Sequence, residues 1–149
     1  MTDGDRERVV AEARRWIGTP YHSGAKVLGV GVDCVQLLIA AYEGAGVLSP
    51  GEVETGYYSP QWHLHRSEEL YLRGVMRFCD KVAEGDELPG DVALFRYGRT
   101  VSHGGLVSKW PYVIHSYVGL GVVESAVTDA LFLMRDGASR LRGVYRPRR

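Results

Sequence analysis

The sequence is short of cysteine, of net charge and of long apolar runs, and each shortage excludes a class of protein. Its 149 residues include 2 cysteines, Cys34 and Cys79, too few for the disulfide framework of a small secreted scaffold. Lys plus Arg and Asp plus Glu both number 18, so the chain lacks the positive charge expected of a nucleic-acid-binding domain. The nearest approach to an apolar run, residues 35–41, is far shorter than the roughly 20 residues that cross a bilayer. We therefore expect neither nucleic-acid binding nor membrane insertion.

The sequence has enough apolar material for one hydrophobic core. Apolar residues make up 45% of it, and its length fits a single domain, residues 1–149. The first residues, MTDGDRERVV, are charged where a signal peptide needs an apolar stretch, which predicts synthesis in the cytoplasm without a signal peptide. A basic cluster near the C-terminal end is expected to be a solvated tail, with an anionic surface or partner as the alternative. It comprises Arg140, Arg142, Arg146, Arg148 and Arg149.

Apolar spacing predicts two helices in the first part of the chain. Apolar residues recur at helical spacing from Val9 to Ile17, and this run stops at Gly18-Thr19-Pro20. Residues 21–32 are glycine-rich without periodicity and are predicted to be a loop that leads to Asp33-Cys34. A second helix with one apolar face begins there and ends at residues 44–46.

The second half of the chain changes to short β-like runs. An irregular segment, 47–69, and a short helix that ends near Cys79 precede them, and Cys79 is expected to be a structural thiol. The predicted strands are 91–96, 104–108, 112–117, 122–125 and 142–146. Helices followed by strands predict an α+β domain with an antiparallel sheet.

Cys34 is the first candidate for chemistry because it lies where a loop meets the start of a helix. There its sulfur would lie near unpaired backbone N–H groups and the positive end of the helix dipole, which favour the nucleophilic thiolate. The alternative is an inert core cysteine. His103, at the start of one predicted strand, and His115, inside the next, could act with it. In neighbouring antiparallel strands His103 could face Cys34 as general base while His115 binds its other ring nitrogen.

Taken singly, His103 could be a residue of a surface turn. His115 could be a structural histidine of the sheet whose ring nitrogens are hydrogen-bonded. Together with a cysteine at a helix N-terminus, they indicate a cysteine hydrolase in the general sense.

Five motifs in fixed order resemble those of the NlpC/P60 family over residues 11–116. They are GTPY (18–21), DC (33–34), LPGDVALF (88–95), SHGGLV (102–107) and VIHS (113–116).

The resemblance implies a papain-like α+β fold, in which the helix carrying the nucleophile packs on an antiparallel sheet carrying the histidines. It implies a cysteine endopeptidase that cleaves peptidoglycan stem peptides, usually between γ-D-glutamate and a diamino acid, through a thioester acyl-enzyme. No metal or organic cofactor is expected. Residue by residue, it makes Cys34 the nucleophile, His103 the general base and then acid, and His115 the orienting third member.

Further candidates surround the nucleophile in the same motifs. Tyr21 matches the aromatic hydroxyl that positions substrate or the oxyanion in the family, with a plain core tyrosine as the alternative. Asp33 could cap the helix or touch a substrate amine. Ser102, which precedes His103, is grouped with them as a substrate or oxyanion candidate, and the backbone N–H of Cys34 is the natural oxyanion donor.

The sequence departs from the family at Val35-Gln36, because many members have Ser-Gly after the nucleophile. The segment around Trp62-His63-Leu64-His65-Arg66 resembles the short phage-tail branch, which implies a tail component that acts at the cell wall, with tail-tip proteins as partners. Gln36, Trp62, His63 and His65 are possible groove residues. A metal at His63 and His65 is the less favoured alternative, since no third ligand accompanies them.

Two other functions remain open at this point. The same fold could serve as a structural tail-assembly protein with vestigial activity. The same Cys-His arrangement could also act as an amidase or an acyltransferase.

Overall fold

The computed structural model describes residues 1–53, 74–75 and 77–149. Its helices and strands follow the predicted order, helices first and then the sheet. They are α1 Asp3–Arg15, β1 Lys26–Val27, β2 Gly31–Val32, α2 Cys34–Gly44, β3 Cys79–Lys81, β4 Val92–Tyr97, β5 Thr100–Lys109, β6 Tyr112–Tyr117, β7 Gly121–Ala126 and β8 Leu141–Pro147. A short 3-10 helix, Ala130–Phe132, lies between the last two strands.

Six strands form one antiparallel sheet in the order β3-β8-β4-β5-β6-β7. The predicted α+β class, with the helix that begins at Cys34 packed on this sheet, is therefore confirmed. Side chains alternate between the two faces of a strand, so the sheet has two cores. Leu94, Leu106 and Ile114 pack with α1 and α2. Phe95 and Phe132 belong to the second core on the other face.

The pairing of β5 with β6 covers only part of both strands. Paired residues run from Leu106 and Ile114 to Lys109 and Tyr112, although β5 begins at Thr100 and β6 continues to Tyr117. Val32, which directly precedes Asp33, accepts a hydrogen bond of 2.7 Å from the Ser116 hydroxyl. The residue before α2 is thus bonded to the end of β6 that pairs with β7 but not with β5.

Three details differ from the sequence-based expectations. The predicted loop 21–32 contains the two-stranded hairpin β1-β2. Cys79 begins strand β3 and pairs with Pro147 of β8, so the predicted helix ends just before it, with residues 74–75 and 77–78 helical. Strand β5 begins at Thr100, so His103 lies within the strand and not at its start.

The basic cluster is only in part a solvated tail, which corrects a further expectation: Arg142, Arg148 and Arg149 are exposed, whereas Arg140 and Arg146 are half-buried. Arg146 donates two hydrogen bonds of 2.9 Å to the buried Asp91. Arg148 pairs with Asp80 at 2.8 Å. These side chains tie the last strand to the rest of the fold. No helix among the described residues is long and apolar enough to cross a membrane.

Candidate active site

Helix α2 begins with a cap that fixes Cys34 at its first position. One carboxylate oxygen of Asp33 accepts the N–H of Gln36 at 2.8 Å, and the other accepts the N–H of Gly24 at 2.7 Å. Asp33 is fully buried, so the structure uses it to cap the helix and to hold the preceding loop. Gln36 lies half-buried in the first turn of the same helix.

The thiol of Cys34 lies against strand β5. Cys34 is 6% exposed, and its Sγ is 3.9 Å from the main-chain oxygen of Ser102, the residue before His103. Ser102 itself is buried, and its carbonyl is the group that meets the thiol. The thiol therefore reaches the sheet next to His103, in the region where β5 and β6 no longer pair.

Tyr21 pairs with the residue that precedes the helix cap. It forms an isolated parallel bridge with Val32 and is half-buried. Burial raises the pKa of Tyr21, and the charges of Cys34 and Asp33 raise it further. Its hydroxyl therefore stays protonated at neutral pH and can donate a hydrogen bond.

His103 and His115 are joined directly. His103 Nε2 lies 2.9 Å from His115 Nδ1, and the exposed fractions are 7% and 0%. On its other side, His115 Nε2 lies 3.0 Å from the hydroxyl oxygen of Ser125 in β7. A chain of three buried polar side chains thus runs from His103 on β5 through His115 on β6 to Ser125 on β7.

Both histidines are neutral at neutral pH. Burial lowers the pKa of His103 well below its usual value, and the neighbouring His115 lowers it further. Burial lowers the pKa of His115 to about 4, against the opposing effect of Asp129. Neutral imidazole is the form that can accept a proton, so the resting state suits a general base.

Aromatic rings enclose His103. The rings of Phe95, Tyr97, Tyr117 and Phe132 have centroids 5.7–6.1 Å from that of His103. Burial raises the pKa of Tyr97, the adjacent Tyr117 adds to this, and the charge of Cys34 contributes in the same direction. Tyr97 therefore packs against His103, and its pKa also responds to the charge of Cys34.

The sequence analysis missed Tyr97, Tyr117 and Ser125 at this site. Only the two-residue spacing of strands that carry the histidines, or lie next to them, could have indicated these residues, and this is a weak signal. Three candidates from the sequence, Trp62, His63 and His65, lie outside the described residues. Within residues 1–53, 74–75 and 77–149, no group of three or more His, Cys, Asp or Glu residues could hold a metal ion.

The second cysteine differs from Cys34 in its surroundings. Cys79 is buried in the core between the sheet and the helices, and no disulfide joins it to Cys34. Burial raises the pKa of the Cys79 thiol to about 12, with Arg148 acting against this rise. At neutral pH Cys79 is therefore protonated and a poor nucleophile.

The comparisons with known proteins show the fold. No model of a protein family matches the sequence, and no curated protein matches it. Among solved structures, NlpC1 from Trichomonas vaginalis is 19% identical with a TM-score of 0.64, over 98% of this chain and 46% of that one. A lipoprotein-like NLP/P60 family protein from Staphylococcus aureus is 17% identical with a TM-score of 0.66, over 99% of this chain and 42% of that one. The chain thus spans less than half the length of either protein.

A third similar structure, RipD from Mycobacterium tuberculosis, is described as a non-catalytic NlpC/p60 domain protein adapted to peptidoglycan binding. It is 18% identical, with a TM-score of 0.56 over 95% of both chains. At such identities the likeness establishes architecture and leaves activity open. The chain has the papain-like α+β fold of the NlpC/P60 proteins.

Proposed function

We propose that this chain belongs to the NlpC/P60 family and is a cysteine peptidase that hydrolyses peptidoglycan stem peptides. The observation that carries the proposal is the buried His103–His115 pair, bonded at 2.9 Å, in which His103 lies on the strand that the Cys34 thiol contacts. The ordered motifs in the sequence support the same assignment. They also favour a bond between γ-D-glutamate and a diamino acid as the site of cleavage.

Acylation begins with transfer of the Cys34 thiol proton to His103. Because Nε2 of His103 is bonded to His115, Nδ1 is the nitrogen that takes this proton. The thiolate attacks the scissile carbonyl carbon, and the electron pair of the C=O bond moves to its oxygen. When the tetrahedral intermediate collapses, the C–N bond breaks and His103 gives its proton to the leaving amine. A thioester between Cys34 and the acyl part of the peptide remains.

Deacylation uses the same residues with water. His103 removes a proton from the water as it attacks the thioester carbonyl, and the C–S bond breaks with return of a proton to Cys34. The negative oxygen of each tetrahedral intermediate needs hydrogen-bond donors. The N–H of Cys34, at the helix N-terminus, and the protonated hydroxyl of Tyr21 fill this role.

Mass spectrometry of defined stem peptides, incubated under reducing conditions, tests the proposal. The wild type should cleave one bond, and Cys34→Ala should cleave none. Cys79→Ala is the matched control and should retain cleavage, since its thiol is buried away from the site. Circular dichroism would verify that each variant is folded.

If the wild type cleaves no stem peptide, or if Cys34→Ala cleaves as well as the wild type, the peptidase assignment is wrong. A folded wild type that binds peptidoglycan without cleaving it would indicate a role like that described for RipD. Cleavage of a simple amide or transfer of an acyl group, without stem-peptide cleavage, would instead favour an amidase or acyltransferase.

We also propose that the chain acts as a phage-tail component at the cell wall, with tail-tip proteins as partners. The support is the sequence resemblance of residues 62–66 to the phage-tail branch of the family. Proteomic analysis of purified tail particles from the source of this chain tests it. Detection of the chain in the particles is expected, and its absence from them would refute the assignment.

A further inference from the structure

The hydroxyl of Ser125 lies on the side of His115 that faces away from His103. In the sheet, Val113 is opposite Ser125 and His115 is opposite Val123, so Ser125 and His115 are diagonal neighbours on one face. The imidazole spans this diagonal, with Nε2 3.0 Å from Ser125 Oγ. Ser125 is 8% exposed, so the contact is shielded from water.

Hydrogen atoms can be placed along this chain in two ways. A neutral imidazole carries one N–H, and a hydroxyl can either donate or accept. In the first arrangement, His103 Nε2–H donates to His115 Nδ1, and His115 Nε2–H donates to Ser125. In the second, the Ser125 hydroxyl donates to His115 Nε2, and His115 Nδ1–H donates to His103 Nε2.

Only the first arrangement is compatible with His103 as the base. In the second, the single N–H of His103 is on Nδ1, which then cannot take a proton. In the first, Nδ1 of His103 is an acceptor, and Nε2–H keeps its partner when the ring becomes charged. This arrangement requires an acceptor for the buried Nε2–H of His115, and Ser125 Oγ is the atom in that position.

We propose that Ser125 is a positioning residue that accepts a hydrogen bond from His115 and thereby keeps Nδ1 of His103 available for the thiol proton. The inference rests on the proposed function, since it assigns His103 as the base. Ser125 does not touch the reacting atoms. It acts through His115, as partners of ligating histidines do when they fix the tautomer of the ring.

Long-range proton–nitrogen NMR of the imidazole rings tests this directly, because it distinguishes Nδ1–H from Nε2–H. We expect Nε2–H on both His103 and His115 in the wild type, and a loss of the single tautomer at His115 in Ser125→Ala. Ser125→Thr, which retains the hydroxyl, should restore the wild-type pattern. Ser108→Ala is the matched control, because the buried Ser108 bonds to Tyr112 and Glu124 instead.

In peptide hydrolysis, Ser125→Ala should lower kcat about tenfold with little change in KM, since tenfold corresponds to about 1.4 kcal/mol, the scale of one hydrogen bond. Ser125→Thr should recover most of the rate. Nδ1–H on His103 in the wild type, or an unchanged tautomer and kcat in Ser125→Ala, would overturn the inference. A wild type without hydrolytic activity would refute the proposed function, while the tautomer measurement would still decide the role of Ser125.

Discussion

The burial of His115 predicts a specific loss of stability in acid. The perturbation is a change from pH 7 to pH 4.5, applied to the wild type and to His115→Asn. In the folded protein burial lowers the pKa of His115 to about 4, whereas the ordinary value is 6.5. Between these values the unfolded chain binds a proton that the folded chain does not. The free energy of unfolding therefore decreases as the pH falls below 6.5, and this loss is complete below the folded pKa.

The size of the loss follows from the two pKa values. They differ by roughly 2.5 pH units, and each unit corresponds to about 1.4 kcal/mol. The full effect is about 3 kcal/mol, of which about 2 kcal/mol develops between pH 7 and pH 4.5. Because His115 has no exposed surface, solvent screening does not reduce this figure greatly.

Urea unfolding at both pH values measures the effect. Between pH 7 and pH 4.5, the free energy of unfolding of His115→Asn should decrease by about 2 kcal/mol less than that of the wild type. This difference does not depend on how stable the variant is at pH 7. Without His115 the pKa of His103 is also lowered less, so His103 contributes less to the loss of stability in acid. This makes the variant still less sensitive to acid than the wild type. His22→Asn, at an exposed histidine, is the control and should behave like the wild type. Equal losses in the wild type and His115→Asn would refute the reasoning.

Two further predictions concern stability. Gly121→Ala should destabilise by about 3 kcal/mol or more, because a Cβ would lie 2.5 Å from the main-chain oxygen of Thr19 and φ is 75°. Gly119→Ala, at φ 84° with no atom within 4 Å of the added Cβ, should cost only about 1–2 kcal/mol, and equal costs in thermal unfolding would contradict the argument. Asp91→Ala should cost about 3–5 kcal/mol in urea unfolding, because it leaves two arginines without their buried carboxylate partner. The control, Asp80→Ala, removes an exposed ion pair and should lower the free energy of unfolding by less than about 1 kcal/mol. An equally small decrease for Asp91→Ala would contradict the prediction.

The elements that could be predicted from the sequence are those with a strong local pattern. Helix α2 begins at Cys34 because Asp33 caps it, and the five longest strands carry apolar and β-branched runs. Strands β1, β2 and β3 were missed because each has only two or three residues. Their pairing depends on partners that a local pattern does not reveal.

The same distinction applies to the candidate site. The contact between His103 and His115 was predictable from the assumption that adjacent strands are antiparallel neighbours. The contact of His115 with Ser125 was not, because a diagonal pair requires the register between β6 and β7. A slip of one residue would place Ser125 on the other face of the sheet. The ion pairs of the C-terminal arginines were missed for a similar reason, since Arg146 and Asp91 are far apart in sequence.

The fold alone does not decide between catalysis and binding in this chain. Its similar structures include RipD, which is described as a non-catalytic NlpC/p60 domain protein. Whether the chain catalyses or binds therefore depends on the side chains at the site, because the same backbone fold can carry other residues there. A packed sheet could place apolar residues at His103 and His115 at less cost than buried imidazoles, whose charged forms burial disfavours. The proposed proton transfer accounts for two buried histidines that bond to each other, and the stem-peptide assay with Cys34→Ala decides whether this transfer serves catalysis.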